Sequence, residues 1–69
     1  MQTSMKGLKK TDSQWAVRMY GTWFVFDTKE EARKDAIGGM MSCEGSERDR
    51  FCDWLCDIEN GIRVTDTDN

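Results

Sequence analysis

Two runs of aromatic and β-branched residues, Trp15-Ala16-Val17-Arg18-Met19 and Thr22-Trp23-Phe24-Val25-Phe26, flank the pair Tyr20-Gly21. This pattern predicts a β-hairpin, with Gly21 supplying the positive φ that a tight two-residue turn requires. Side chains alternate across a strand and a two-residue loop preserves their parity. Trp15, Val17, Met19, Phe24 and Phe26 therefore share one face, and Arg18, Tyr20, Trp23 and Val25 the other. The first face is the expected core side. The second is apolar for a solvated surface, and Arg18 beside Trp23 suits a cation–π contact of about 0.5–1 kcal/mol.

Beyond the hairpin the spacing becomes helical. Asp27-Thr28-Lys29-Glu30-Glu31 reads as a capping box, with the Thr28 hydroxyl accepting from the Glu31 amide and the Glu31 carboxylate reaching back to Thr28. Ala32 and Ala36, four apart with Ile37 beside them, are small enough for close approach to a sheet. Gly38-Gly39 predicts the end of this helix and leaves Met40 to Gly45 as a loop. Ser46 is the expected cap of a second helix running to Asn60-Gly61. On that helix Phe51, Leu55, Ile58 and Ile62 fall within about 60° of one another. Trp54 flanks the arc on one side, Cys52 and Cys56 on the other, and Asp49, Asp53, Asp57 and Asn60 lie opposite. Ile62-Arg63-Val64 alternates as a short third strand does, while Gly61-Ile62 equally fits a helix-ending contact. Polar residues 1–13 read as a flexible arm and residues 65–69 as a frayed acidic tail, which leaves residues 14–64 as the domain. The expected class is α+β: an antiparallel hairpin, with room for a third strand, packed on two helices. Its expected core is Trp15, Val17, Phe24, Phe26, Ala32, Ala36, Phe51, Leu55 and Ile58.

Length and composition narrow this picture. A chain of 69 residues fits one domain, and at that size folding buries only about 60% of the unfolded chain's surface. Three Trp and three Phe compensate with large apolar area per residue. No apolar run is long enough to span a membrane, and the polar start lacks the apolar stretch of a signal peptide. Three cysteines, Cys43, Cys52 and Cys56, are too few and too odd for a disulfide scaffold. A cytoplasmic location is the expectation.

Catalysis has little to draw on, because the chain has no His and a domain this small rarely encloses a cleft for converging carboxylates. The cysteine spacing departs from the paired knuckle of zinc sites. The thiols are expected as small inert hydrophobes at the core's edge, with no metal or cofactor and no enzymatic activity. Charge is more informative. The net charge of −3 divides into +3 over residues 1–34 and −6 over residues 35–69. Asp49, Asp53 and Asp57 repeat every four residues with no cation between them on the stripe, an arrangement that gives up helix-stabilising ion pairs and suits a basic partner. The candidate binding residues are these three with Glu44 and Glu47; the rival surface is Arg18, Tyr20 and Trp23 on the hairpin. The alternative function is nucleic-acid binding through Lys6, Lys9 and Lys10 with stacking on the sheet face, which a pI near 4.8 disfavours. A homodimer through the Trp23 face is compatible with either.

The hairpin from Trp15 to Asp27, the capped helix from Thr28 to Ile37 and the acidic helix from Ser46 to Asn60 cover about two-thirds of the chain. In general character they resemble the small, acidic, histidine-poor proteins with which bacteriophages and mobile elements disable host machinery, anti-CRISPR proteins among them. Those proteins share size and habit rather than motifs, so the resemblance carries over no residue. It implies a stoichiometric inhibitor of a host nucleoprotein complex or nucleic-acid enzyme.

Overall fold

A computed structural model describes residues 14–68; the basic arm, including Lys6, Lys9 and Lys10, lies outside the described residues. Strands β1 (Trp15–Met19) and β2 (Thr22–Phe26) form the hairpin. Trp15 faces Phe26, Val17 faces Phe24 and Arg18 faces Trp23. Tyr20 and Gly21 have φ of 57° and 75°, the left-handed pair of a turn whose twist matches its strands. The face assignment read from parity holds along both strands, with Tyr20 as the exception: expected beside Trp23, it borders the inner-face cleft of Val17, Met19, Phe24 and Trp54 and lies under Arg50, because its left-handed φ breaks the alternation.

Helix α1 (Lys29–Ser42) starts at Thr28, whose Oγ1 accepts from the Glu31 amide at 3.1 Å. The Glu31 carboxylate accepts from the Asp27 amide at 3.3 Å, one residue earlier than the expected Thr28. The helix continues through Gly38-Gly39 to Ser42, where a loop was expected. Packing accounts for the second of the two glycines: a Cβ at Gly39 would lie 2.3 Å from Phe51 ring carbons, whereas one at Gly38 meets nothing within 4 Å. The missing side chain lets the aromatic ring lie on the helix backbone, which offsets the roughly 0.5–1 kcal/mol that an interior glycine costs.

Helix α2 (Gly45–Glu59) follows after Cys43-Glu44, with Glu44 at the N-cap and no side-chain cap. Gly45 turns the chain with φ of 65°, so Ser46 lies inside the helix instead of capping it. At the other end the Gly61 amide donates to Ile58 O (3.0 Å) and the Ile62 amide to Asp57 O (2.8 Å). With Gly61 at φ 83° this is a Schellman closure. Of the two alternatives the helix-ending contact is the one Gly61-Ile62 makes; a third strand also forms, but as β3 (Val64–Asp66), two residues later than the expected Ile62 to Val64. β3 lies parallel to β1, with Ala16 beside Val64 and Arg18 beside Asp66, and the mixed sheet has the order β2-β1-β3. The α+β architecture stands, and ordered structure extends past Val64 through Thr67 and Asp68, which hydrogen-bond to the hairpin where a frayed tail was expected.

The core comprises Trp15, Val17, Met19, Ala32, Ala36, Trp54 and Ile58, with Phe26, Phe51 and Leu55 packed partly buried against it. The inward arc of α2 is therefore centred on Trp54 and Ile58, with Trp54 at its middle and not its flank. Its ring meets Phe26 at 5.3 Å and Phe51 at 6.4 Å, both tilted. Cys52 and Cys56 lie outside the arc and are exposed, and Cys43 is half-buried, so the two helical thiols are not core hydrophobes. Phe24 shares the inner face but is 44% exposed. It sits on the outer strand near the turn, beside a small open cleft bordered by Tyr20, Asp35 and Phe51. Ala16 points to the opposite face yet is buried, its methyl set between its longer register partners Val25 and Val64.

Two adjacent glycines test the close approach of the helices. Gly38→Ala, with nothing within 4 Å of the new Cβ, is expected to stabilise the fold by about 0.5–1 kcal/mol. Gly39→Ala meets the Phe51 ring and is expected to destabilise it by about 1 kcal/mol or more despite the same propensity gain. Urea denaturation midpoints of the two variants should move in opposite directions. Trp54→Ala should cost about 3–5 kcal/mol.

Candidate functional site

Helix α2 and strand β3 border one polar groove, and Asp53, Asp57 and Asp66 line it. Asp49 and Asp53 are exposed and form no ion pair among the described residues. Asp57 belongs to the same stripe but is half-buried, and its Oδ2 accepts from Thr65 Oγ1 at 2.9 Å. Thr65 is the one buried polar residue among those described. An unpaired buried hydroxyl costs about 1–3 kcal/mol, so Asp57 is structural as well as acidic. Asp53, Cys56 and Asp57 face Thr65 and Asp66 across a polar groove of about 440 Å³. Glu44 and Glu47 stand at the opposite, N-terminal end of α2. The Tyr20 phenol, raised above 10.0 mainly by desolvation, feels the Glu47 charge next. The structure thus places Asp53, Asp57 and Asp66 on one groove, with Glu44 and Glu47 at the other end of the helix.

The rival surface is occupied differently from expectation. Arg18 turns toward β3, pairing with Asp66 at 3.1 Å and reaching Asp68 at 4.0 Å. The cation–π contacts among the described residues are Arg50 over Tyr20 (5.5 Å) and Arg63 over Trp15 (4.8 Å). Carboxylates across the strand outcompete the indole of Trp23 for the Arg18 guanidinium, since charge-assisted pairs are the stronger. Trp23 itself is half-buried, so Arg18, Tyr20 and Trp23 do not form an open stacking platform with a free cation.

Asp68 is the residue that sequence reasoning missed. Its carboxylate accepts from the amides of Tyr20 (3.0 Å) and Gly21 and from Arg50 (2.8 Å). Thr67 adds two bonds to the Arg18 carbonyl, from its amide (3.0 Å) and its hydroxyl (2.9 Å). Successive amides in a left-handed turn form a concavity that suits an anion. The contact joins residues 47 and 48 apart, so no local pattern announces it. The Gly21 hydrogen bond, then that of Tyr20, and the charges of Arg50 and Arg18 hold the Asp68 carboxyl below its usual 3.8, against an opposing desolvation.

Among the described residues no group of three or more His, Cys, Asp or Glu side chains is placed to hold a metal ion. No described helix is long and apolar enough to cross a membrane. Comparison with known protein families, curated proteins and solved structures finds no match to the chain.

The lowered Asp68 carboxyl gives a signed pH dependence. A carboxyl whose folded value lies below its unfolded one contributes stability above the unfolded value and loses it as pH falls through the folded one. Stability is expected to drop as pH falls below the ordinary carboxylate value and on through the lower folded one, and Asp68→Asn to flatten that part of the profile. Urea midpoints across the range measure both. Equal profiles for the two proteins would show that Asp68 does not govern the acid limb.

Proposed function

We propose that the protein is a small binding module, an inhibitor or adaptor, that engages a basic, nucleic-acid-handling protein or complex through the acidic side of α2. The observation that carries this reading is the partition of charge. Arg18, Arg33 and Arg50 are matched to carboxylates within the chain, while Asp49 and Asp53, like the neighbouring Arg48, project from the helix with no ion pair among the described residues. The charge left over for a partner on this face is negative and pre-ordered, which lowers the entropic cost of binding. A row of Lys and Arg that grips phosphates has the complementary chemistry. In this reading the protein acts without catalysis, and in the cytoplasm, where the exposed Cys52 and Cys56 stay reduced. Disabling a host complex such as a CRISPR effector, the role implied by its general character, is one form such binding takes.

The second reading, nucleic-acid binding by the basic arm and the aromatic sheet face, has less support. The Arg18 cation on that face is already paired with Asp66.

An arginine-rich peptide modelling a phosphate-gripping surface tests the main reading. It should bind with an affinity that falls with salt, since exposed charges are screened beyond about 8 Å at physiological ionic strength. Amide shifts should centre on Asp49 and Asp53, and single-stranded DNA and RNA should give no mobility shift. The double variant Asp49→Lys, Asp53→Lys should keep its urea midpoint and lose affinity on the order of tenfold or more. Asp57 is left intact in this variant because it holds Thr65. Unchanged binding by the variant, or a footprint confined to Arg18, Tyr20 and Trp23, would remove the acidic surface from consideration.

A further inference from the structure

Among the described residues strand β3 is an outer strand of the sheet. Arg63 offers its carbonyl to the Ala16 amide (2.8 Å), and the Thr67 amide donates to the Arg18 carbonyl (3.0 Å). Backbone groups alternate in direction along a strand, so those of Val64 and Asp66 turn away from β1 toward the open edge. An edge of this kind is a template for another chain. The polar groove of about 440 Å³ lies along this edge, and its far wall is the Asp53, Cys56 and Asp57 side of α2.

Resting on the acidic-surface reading, we propose that the partner engages β3 with an extended Lys- or Arg-bearing segment, which adds to the sheet as a fourth strand in this groove. The charge of the wall selects the occupant. Asp53 has no ion pair among the described residues, and Asp57 has a hydroxyl and no cation beside it. Spacing agrees as well. Side chains on one face of a strand recur every two residues, about 6.5 Å apart, and residues four apart on a helix rise by about 6 Å. Two basic residues separated by one position on the added strand therefore match the spacing of Asp53 and Asp57. Main-chain hydrogen bonds to Val64 and Asp66 supply affinity, and the paired carboxylates supply the preference for basic side chains. The other outer strand, β2, has the uncharged sequence Thr22-Trp23-Phe24-Val25-Phe26 and offers no such selection.

The full chain is titrated with a synthetic heptapeptide of alternating Lys and Thr, and with two versions methylated on the amide nitrogens of either the Lys or the Thr residues. A strand presents alternate amides to its neighbour, so one methylation pattern should lower affinity by about tenfold or more while the other changes it little. Amide exchange at Val64 and Asp66 should slow by a similar factor, and alkylation of Cys56 in the groove should slow while exposed Cys52 reacts as before. Equal affinity of all three peptides, or protection at β2 with none at Val64 and Asp66, would overturn the added strand. Failure of the heptapeptide alongside salt-sensitive binding of the arginine-rich peptide at Asp49 and Asp53 would reject it and leave the acidic-surface reading standing. Failure of both peptides would reject both.

Discussion

The parallel pairing of β3 with β1 is the contact on which the remaining structure depends. A hairpin of two five-residue strands is marginal in water by itself. β3 makes β1 a central strand, and the chain then ties both ends of the pairing. At one end Arg63 O takes the Ala16 amide, and at the other Thr67 and Asp68 grip the Arg18 carbonyl and the Tyr20-Gly21 turn. Tyr20 holds a left-handed φ of 57°, uncommon for a residue with a side chain. The Asp68 carboxylate bonded to its amide and Arg50 stacked over its ring hold that conformation in place.

How much of this was legible in the sequence follows the range of the interactions. The hairpin, its turn and the faces of its two strands are local, set by alternation and by Gly21, and they were readable except at Tyr20, which turns to the inner side under Arg50. The Thr28 cap was readable for the same reason. The orientation of α2 was readable only to within part of a turn. Apolar spacing favoured Phe51, Leu55 and Ile58, whereas the packing of Trp54 between Phe26 and Phe51 decides which of them goes deepest. The end of α1 was misjudged because two glycines signal termination, and only the position of Phe51 across the helix pair reveals that Gly39 serves packing. The acidic tail looked frayed for the most distant reason of all: its partners lie in the hairpin.

The same distinction governs the candidate site. Counting charges along α2 identified Asp49 and Asp53 but treated all carboxylates alike. The fold sorts them: Asp66 and Asp68 neutralise Arg18 and Arg50, Glu59 meets Arg33 at 2.6 Å, and Asp57 satisfies a buried hydroxyl. Several acidic residues that seemed to advertise a partner are thus structural. What is left is smaller, better defined, and adjacent to a strand edge that is open among the described residues.

The strand order also shapes how the chain reaches this state. β1 and β3 are neighbours in the sheet, yet Arg18 and Asp66 are 48 residues apart. The intervening hairpin strand and both helices must be laid down before the sheet can be completed. Until then one side of β1 presents unpaired amides and carbonyls flanked by Trp15, Val17 and Met19. Pairings of high sequence separation form late because loop closure precedes any compensating contact. Until Val64 to Asp68 are in place, the β1 edge is of the unpaired kind that makes partly folded chains prone to aggregate.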